Sequence, residues 1–379
     1  MAGPKRLPAA ARFAKLATMR DATPGNGHHH GWETAARPGR SRPDGGRAGV
    51  VAVLGIMGLW LAATGCGPAA GPERIPAGGR WVHRVPPGTA LKLALVPNSC
   101  SRFWDLARSG LNKFEQETGI HVPMLCPTRG TLDEQRAILE RLEREGYHGV
   151  MISVVSPEEQ TPLINRLAER MNVITVDSDA PQSRRLVFVG PQHYDMGLAA
   201  GMAIVRLLPE GGEIAVFCGE LTAENFIQRL QGLSDAIRNH RIRIVAKYED
   251  RTDLDRARRQ VAEALETHPE LDLLVGLWSY NGGIIREVLQ ERGLAGRVLA
   301  VAVAEEEETL QGIEDGSIQC GVAQTAFDCA YLGARLLRDL ALQGPAALPP
   351  GGVINTGFIL VDRSNLHEVR ETRRRQSSY

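Results

Sequence analysis

The sequence predicts an α/β fold built on parallel β-sheets. Short, continuously apolar runs rich in β-branched residues recur along the chain, and helical stretches of about 12–17 residues separate them. Runs of this kind indicate strands that are covered by helices on both faces. The eight runs lie at residues 91–96, 149–153, 172–176, 186–190, 213–217, 241–246, 271–276 and 297–303. Beyond the N-terminal region that ends at Cys66, which is discussed below, about 290 ordered residues are predicted. This is long enough for two lobes that each bury a core.

Two of the intervening helices have readable boundaries. Thr131 is predicted to cap the N-terminus of the first, and Gly146 is predicted to end it. Ser156 and Pro157 open the second, because proline is favoured at the first helical position. Their apolar residues recur at helical spacing and indicate core packing, so we assign them no function.

The N-terminal region has the layout of a signal peptide. Residues 48–65 carry no charge and follow four arginines. Cys66 ends the motif "ATGC", which resembles a bacterial lipobox, in which the cysteine sulfur is lipidated and the chain is cut before it. Residues 66–90 follow as a flexible tether rich in glycine and proline. The alternative is an uncleaved anchor, because about 18–20 apolar residues just span a bilayer.

Residues 1–47 are predicted to be a disordered extension, because they are poorly hydrophobic and cluster glycine, proline and arginine. A signal peptide should begin near the N-terminus. Either the start codon is assigned too far upstream, which we favour, or the extension is a real cytoplasmic segment.

Charge and cysteine usage exclude several classes. After residue 65 the chain holds 35 Lys and Arg against 41 Asp and Glu, a net charge of −6. A net negative charge does not favour nucleic-acid binding. Once Cys66 is lipidated, five cysteines remain, and their spacing fits neither a metal site nor a disulfide framework. We therefore predict no metal, no cofactor and no nucleic-acid partner.

Cys100 and Cys126 follow the first and second strands of the mature chain. Neighbouring parallel strands end close together, so in an oxidising compartment the two thiols could pair. The alternative, two independent thiols, stays open.

Function is expected in the loops that follow the strands, because ligands of open parallel sheets bind beyond the carboxyl ends of the strands. These loops contain no dinucleotide-binding, phosphate-binding, nucleophile-elbow or zinc-protease motif, so we predict no catalytic residue and no enzyme. They do combine aromatic rings with carboxylates, amides and hydroxyls. A sugar needs this combination, since its C–H face packs on a ring while its hydroxyls form paired hydrogen bonds.

Six motifs, in order along residues 91–361, carry a family resemblance: "LALVPNSCSRFWDLARSGL", "GVMISVVSPEEQTPLINRLAERMNVITVDSDAP", "VGPQHYDMGLAAG", "LTAENFIQRLQGLSDAI", "LVGLWSYNGGIIREVL" and "TLQGIEDGSIQCGVAQ". Together they resemble the type I periplasmic binding proteins, especially the ribose-binding-protein-like lipoproteins of sugar ABC transporters. The resemblance implies two Rossmann-like lobes joined by three hinge crossings near Gln192, Gln324 and Asn355, with the ligand in the cleft between the lobes.

The resemblance also implies lobe boundaries. The N-terminal lobe is expected to comprise residues 91–191 and 325–353, and the C-terminal lobe residues 192–324 and 354–362. Residues 363–379 are expected to form a polar tail.

Ligand contacts follow from the same resemblance. Phe103 and Trp104 look like stacking aromatics, and Asp177 matches a carboxylate that holds two sugar hydroxyls. The implied set is Ser101, Phe103, Trp104, Ser153, Asp177, Asn225, Arg229, Tyr280, Asn281 and Gln324. Structural alternatives remain for several of them: the two aromatics could be core, Asp177 an N-cap and Arg229 a structural helix residue.

One position departs from the family pattern. Relatives usually place an aspartate where Ala304 stands, and an alanine cannot accept hydrogen bonds from hydroxyls. Either Glu305 or Glu306 reaches in as a longer substitute, or the ligand differs from the usual monosaccharide. The glutamates could also be an ordinary charged helix start, favoured by the helix dipole.

The implied protein is a monomeric, extracytoplasmic, lipid-anchored receptor that captures a sugar or sugar-like solute and hands it to an ABC permease. Ligand would favour the closed form by its differential affinity, without covalent chemistry. The alternative is a ligand-sensing domain that partners a membrane sensor kinase. A repressor would need an N-terminal helix-turn-helix, which the first 90 residues do not offer.

Overall fold

The computed structural model describes residues 73–74 and 81–379. The leader, the lipobox cysteine Cys66 and the N-terminal extension lie outside the described residues. The described part contains two largely parallel sheets flanked by helices, together with a two-stranded antiparallel sheet, which confirms the predicted α/β fold. Within residues 73–74 and 81–379, no helix has the length and apolar character needed to cross a membrane.

Strands and helices alternate through most of the described chain. The strands are β1 (Glu73–Arg74), β2 (Trp81–Val82), β3 (Leu93–Val96), β4 (Gly149–Ile152), β5 (Asn172–Val176), β6 (Phe188–Gly190), β7 (Gly212–Cys218), β8 (Ile242–Glu249), β9 (Leu271–Gly276), β10 (Leu299–Val303), β11 (Cys320–Ala323), β12 (Val353–Asn355) and β13 (Ile359–Val361). The helices are α1 (Phe103–Thr118), α2 (Leu132–Arg144), α3 (Pro157–Leu167), α4 (His193–Leu207), α5 (Glu224–Ile237), α6 (Leu254–Thr267), α7 (Asn281–Glu291), α8 (Glu307–Asp315), α9 (Ala326–Gln343) and α10 (Leu366–Ser377).

Each lobe is organised around one sheet. The first sheet has the strand order β12-β6-β5-β4-β3 and is parallel throughout. The second has the order β13-β11-β10-β9-β7-β8, with only β13 antiparallel to its neighbour. Nearly every residue of the central strands is buried, as expected where helices cover both faces of a sheet.

The chain passes between the two sheets three times, as the fold prediction requires. It leaves the first sheet after β6, returns from β11 into α9, and leaves again after β12 to reach β13. Gln192 lies in the first crossing and Gln324 in the second, while Asn355 is the last residue of β12. Two of these crossings lie side by side, since the Thr356 amide donates to the Gly190 carbonyl at 3.1 Å.

Local signals explain several element boundaries. The Thr131 side chain accepts a hydrogen bond from the Glu134 amide, so this predicted cap is confirmed. Pro157 is the first residue of α3, where its fixed φ is compatible with the helix. Strands β11, β12 and β13 were not among the predicted runs.

The C-terminal segment forms helix α10 and contacts both lobes. Arg370 forms ion pairs with Glu307 at 2.7 Å and Glu314 at 2.9 Å, both in the second lobe. At the other end of the segment, the Tyr379 carbonyl accepts a hydrogen bond from Asn112 of α1 at 3.1 Å. The polar segment expected from the sequence is therefore an ordered strap between the lobes.

Candidate functional site

A cavity of about 470 Å³ lies between the two lobes at the carboxyl ends of their strands. Its volume is in the range of small-molecule sites. The first lobe contributes the loop and helix start at residues 98–104, together with 128–130 and Asp177. The second lobe contributes the strand-end loops that carry Thr252, residues 278–280 and residues 305–306.

The structure brings eight of the ten implied contact residues to the cavity wall. These are Ser101, Phe103, Trp104, Asp177, Asn225, Arg229, Tyr280 and Gln324. Ser153 and Asn281 lie behind the wall. Ser153 donates from Oγ to Asp177 Oδ2 at 3.4 Å, and Asn281 donates from Nδ2 to Asp250 Oδ2 at 3.3 Å. These two side chains therefore orient other polar groups instead of lining the cavity.

Asp177 follows β5 and connects the two lobes. Its Oδ1 accepts a hydrogen bond from Gln324 Nε2 at 2.9 Å, and its carbonyl oxygen is 2.5 Å from His193 Nε2. Its backbone has φ of 60°, a left-handed conformation that aspartate tolerates better than most residues. Burial raises the pKa of the Asp177 carboxyl, while Arg229 and the hydrogen bonds from Gln324 and Ser153 act in the opposite direction.

Two aromatic groups stand on opposite walls. In the first lobe, Phe103 packs edge-to-face on Trp104 with ring centroids 4.9 Å apart, and the Trp104 indole N–H donates to Asn98 Oδ1 at 3.2 Å. Trp104 is only 1% exposed and belongs to the core of its lobe, whereas Phe103 is half-buried. In the second lobe, Trp278 lies against Gly219, where an added Cβ would come within 2.6 Å of the indole. Phe103 and Trp278 are therefore the rings best placed to contact a ligand.

Arg229 is fixed by the close packing of α4 on α5. A Cβ at Gly197 would lie 1.9 Å from the Arg229 carbonyl oxygen, so only glycine permits this approach. The buried guanidinium donates from Nη1 to the Leu277 carbonyl at 2.8 Å, while its Nε and Nη2 have no protein partner among the described residues. Two donors of a buried cation thus stay available to a ligand.

Tyr280 and Asn281 are held by Asp250, which was not among the residues expected from the sequence. The Tyr280 hydroxyl donates to Asp250 Oδ1 at 2.5 Å, and Asp250 is 1% exposed. Burial raises the pKa of Asp250 to about 6, against the lowering effect of the Tyr280 hydrogen bond. The missed signal was the length of β8, which ends at Glu249 and places Asp250 directly in the strand-end loop.

Glu305 and Glu306 both line the cavity, whereas Ala304 does not. Ala304 is fully buried and packs so tightly on the next strand that a Cβ at Gly321 would lie 2.3 Å from its own Cβ. Helix α8 begins only at Glu307, so Glu305 precedes the helix. Burial raises the pKa of Glu305 to about 8, with Asp177 adding to the shift and Arg229 opposing it.

An ion pair joins the lobes at the cavity mouth. Arg102 Nη1 of the first lobe is 2.6 Å from Glu308 Oε1 of the second, and the Arg102 side chain is 70% exposed. Hydrogen bonding to Glu308 raises the pKa of Arg102. Such an exposed pair contributes at most about 1 kcal/mol, so by itself it does not hold the lobes together.

The free polar atoms of the site include both donors and acceptors. Among the described residues, Arg229 Nε and Nη2 and Trp278 Nε1 are buried donors without a protein partner, and Gln324 Oε1 and Glu305 Oε1 are buried oxygens without one. Within residues 73–74 and 81–379 no group of three or more His, Cys, Asp or Glu side chains could hold a metal ion. The arrangement suits a neutral ligand with several hydroxyl groups, since a hydroxyl can both donate and accept.

Comparison with known proteins agrees with this geometry. A family model described as a periplasmic binding protein domain matches residues 93–345. The xylose/arabinose-binding protein XylF of Sulfolobus acidocaldarius is 23% identical over 248 residues. That match covers 60% of this chain and 60% of the relative, so the chain spans less than two thirds of that protein's length.

Solved structures share the fold. An ABC transporter solute-binding protein from Burkholderia graminis, in complex with D-arabinose, has a TM-score of 0.70 and 24% identity, and the match covers 74% of this chain and 98% of that one. The XylFII–LytSN complex contains a chain with a TM-score of 0.67 and 19% identity, covering 73% of this chain and 99% of that one. At these identities the likeness establishes the fold alone.

Proposed function

The chain belongs to the periplasmic binding protein family, and from this premise we propose that it captures a sugar or sugar-like ligand between its lobes and delivers it to an ABC permease. Members of this family bind solutes, so the chain is a binding protein and not an enzyme. The observation that carries the proposal is the cavity of about 470 Å³ with aromatic rings on both walls and unpartnered buried donors and acceptors between them.

Three features support a sugar as the ligand. Phe103 and Trp278 offer ring faces or edges to sugar C–H groups, while Asp177 and Arg229 offer charged hydrogen-bonding groups to adjacent hydroxyls. One relative is named for xylose and arabinose, and one solved structure of this fold holds D-arabinose. Pentoses are therefore the first ligands to test.

A thermal-shift screen of pentoses, hexoses, their acids and polyols tests the ligand class. A compound selective for the folded state stabilises it by RT ln(1 + [L]/Kd), about 2.7 kcal/mol at a hundredfold excess over Kd. We expect a pentose or hexose to raise the melting temperature. A screen in which no sugar-like compound does so would refute the proposal.

Calorimetry on Asp177→Asn tests the place of binding. Asparagine tolerates the left-handed backbone at this position, so the substitution removes charge without adding strain. Affinity for the compound found in the screen should fall about 10- to 150-fold, the equivalent of roughly 1.5–3 kcal/mol for a charged hydrogen bond. The matched control is Asp133→Asn, at an exposed position of α2, and it should bind as the wild type does. If both variants bound the compound with equal affinity, the ligand would bind at a site that does not include Asp177.

We also propose that lipid on Cys66 anchors the protein outside the cytoplasmic membrane. The lipobox-like motif "ATGC" supports this. Mass spectrometry of membrane-extracted protein should find Cys66 as a lipidated mature N-terminus, and Cys66→Ser should release the protein from the membrane fraction. A mature chain that retains residues 48–65 would contradict the assignment.

The partner protein defines the second candidate function. XylFII, a chain of this fold, forms a complex with a second protein, LytSN, so a protein partner other than a permease is also compatible with the fold. Cross-linking in the native membrane, with the sugar present, should capture a permease under our proposal. Capture of a membrane sensor kinase instead would favour the sensing function.

A further inference from the structure

Two cysteines lie on neighbouring loops at the rim of the cavity. Leu95 of β3 forms backbone hydrogen bonds on both sides of Met124: its amide donates to the Pro123 carbonyl at 3.0 Å, and its carbonyl accepts from the Leu125 amide at 2.8 Å. Cys126 follows this contact directly, and Cys100 follows the end of β3 in the segment that lines the cavity. Backbone pairing therefore holds the two loops side by side.

The side chains of the pair are also close enough to influence each other, since Cys100 contributes to the raised pKa of Cys126. Cys100 is exposed and Cys126 is half-buried, so Cys100 is the more accessible of the two to a soluble reagent. Cys218 and Cys329, by contrast, are buried and interact with the Tyr248 carbonyl and the Thr356 hydroxyl.

We propose that Cys100 and Cys126 form a redox-active pair that closes to an intramolecular disulfide at the rim of the ligand cavity. The proposal does not depend on which solute the cavity binds. Its premise is an extracytoplasmic location, where disulfides form and persist.

The oxidation proceeds by thiol–disulfide exchange with an external disulfide, such as oxidised glutathione or a protein disulfide. The exposed Cys100 thiolate attacks one sulfur of that disulfide, which forms a mixed disulfide and releases one thiolate. Cys126 transfers its proton to this released thiolate, attacks Cys100 Sγ and displaces the second half of the reagent as a thiolate. That thiolate takes up from solvent the proton that Cys100 lost when it ionised. Two protein thiols are oxidised, and one external disulfide is reduced to two thiols.

The two cysteines have unequal roles in this exchange. Burial, followed by the influence of nearby Cys100, raises the pKa of Cys126 to about 12, so its thiolate is scarce at neutral pH. The step in which Cys126 resolves the mixed disulfide is therefore expected to limit the rate, and that rate should rise with pH.

Counting thiols tests the proposal. Protein carrying Cys66→Ser is oxidised with oxidised glutathione or reduced with dithiothreitol. Each sample is then denatured and alkylated, and its mass is measured by mass spectrometry. The oxidised sample should carry two fewer alkyl groups than the reduced one. After trypsin digestion, residues 93–102 and 114–129 should be recovered as one disulfide-linked species. The melting temperature of the oxidised form should be higher by roughly 5–10 °C, because the bond restricts the unfolded chain.

Matched variants separate pairing from general oxidation. Cys126→Ser should lose both the linked species and the rise in melting temperature, and Cys320→Ser should keep both. The proposal is overturned if both thiols of the otherwise wild-type chain stay alkylatable after oxidation. It is equally overturned if glutathione remains on Cys100 and no linked species forms.

Discussion

At the scale of the residue, the Glu305 carboxyl is a group of the cavity whose pKa is raised into the neutral range. It stands beside Asp177 of the first lobe, Arg229 of α5 and Arg373 of α10, all of which affect its ionisation. Its pKa of about 8 means that the folded protein holds a proton on this group at neutral pH. A protonated carboxyl can donate a hydrogen bond to a ligand, which an ionised aspartate in the usual family position cannot do.

We expect Glu305→Gln to flatten the fall of stability with rising pH. Between the ordinary pKa of 4.5 and about 8, the folded state binds a proton that the unfolded state has lost, so wild-type stability declines across this window. Glutamine stays neutral at every pH. The melting temperature of the variant, relative to that of the wild type, should therefore increase from pH 5 to pH 9. Glu158→Gln, at an exposed position of α3, is the control and should run parallel to the wild type. Parallel curves for Glu305→Gln as well would contradict the assignment.

Restoring the usual family residue at position 304 should destabilise the protein. Ala304 lies in an apolar cluster with Leu310 and Ile313, in contact with Gly321, so Ala304→Asp buries a carboxyl without a partner. Mutational data put the cost of such a group at about 1–3 kcal/mol or more. Urea unfolding measures the loss. A variant of unchanged stability with improved sugar binding would show that the side chain can reach the cavity after all.

At the scale of the element, the turn from β3 into α1 combines packing and recognition in adjacent residues. Trp104 belongs to the core of the first lobe, while Phe103 covers it from the cavity side. The substitutions Trp104→Ala and Phe103→Ala should therefore have different effects on stability and on ligand binding. Trp104→Ala should lower the free energy of unfolding by about 3–5 kcal/mol, the range for large core truncations.

Phe103→Ala should cost less stability and weaken sugar binding, because a half-buried ring at the cavity wall is removed. Urea unfolding together with calorimetry on both variants measures the difference. If Phe103→Ala bound sugar as tightly as the wild type, the ring would be part of the core and not of the site.

At the scale of the whole molecule, the lobes are joined by three backbone crossings, the Arg102–Glu308 ion pair and the α10 strap. The strap holds the second lobe through Arg370 and reaches the first through Tyr379, whose ring has Lys113 Nζ 5.0 Å from its centroid. Ligand that contacts both lobes favours the closed arrangement, because it interacts with both only there.

Small-angle scattering tests the hinge and the strap together. Ligand should lower the radius of gyration of the wild type. Tyr379→Ala removes the ring contacts of the strap with Lys113 and Phe327 and leaves the backbone hydrogen bond from Asn112, so the weakened strap should give a larger radius of gyration than the wild type without ligand. Leu342→Ala, at an exposed position on α9, serves as the control. A scattering curve that stays the same when ligand binds in the cavity would show that the lobes do not rotate.

The sequence by itself determined the elements and most of the lining of the site. Continuous apolar runs predict buried parallel strands, and strand ends predict where ligands bind, since both depend on local pattern. Asp177, Asn225 and Tyr280 follow strands or open helices in the sequence pattern, and all three line the cavity. Strands β11 to β13 were not among the predicted runs, although the equally short β6 was.

Only the tertiary structure decided which side chains share the cavity and in which state. Three features depend on contacts between residues that are distant in sequence. Asp250 holds Tyr280 from behind, Glu305 lines the cavity where Ala304 does not, and α10 contacts both lobes. The pKa of Glu305 has the same origin, since burial and the neighbouring charges of Asp177 and Arg229 come from separate elements. Local sequence does not determine how deeply a side chain is buried or which charges from distant parts of the chain lie next to it. These features therefore follow from the packing of the two lobes.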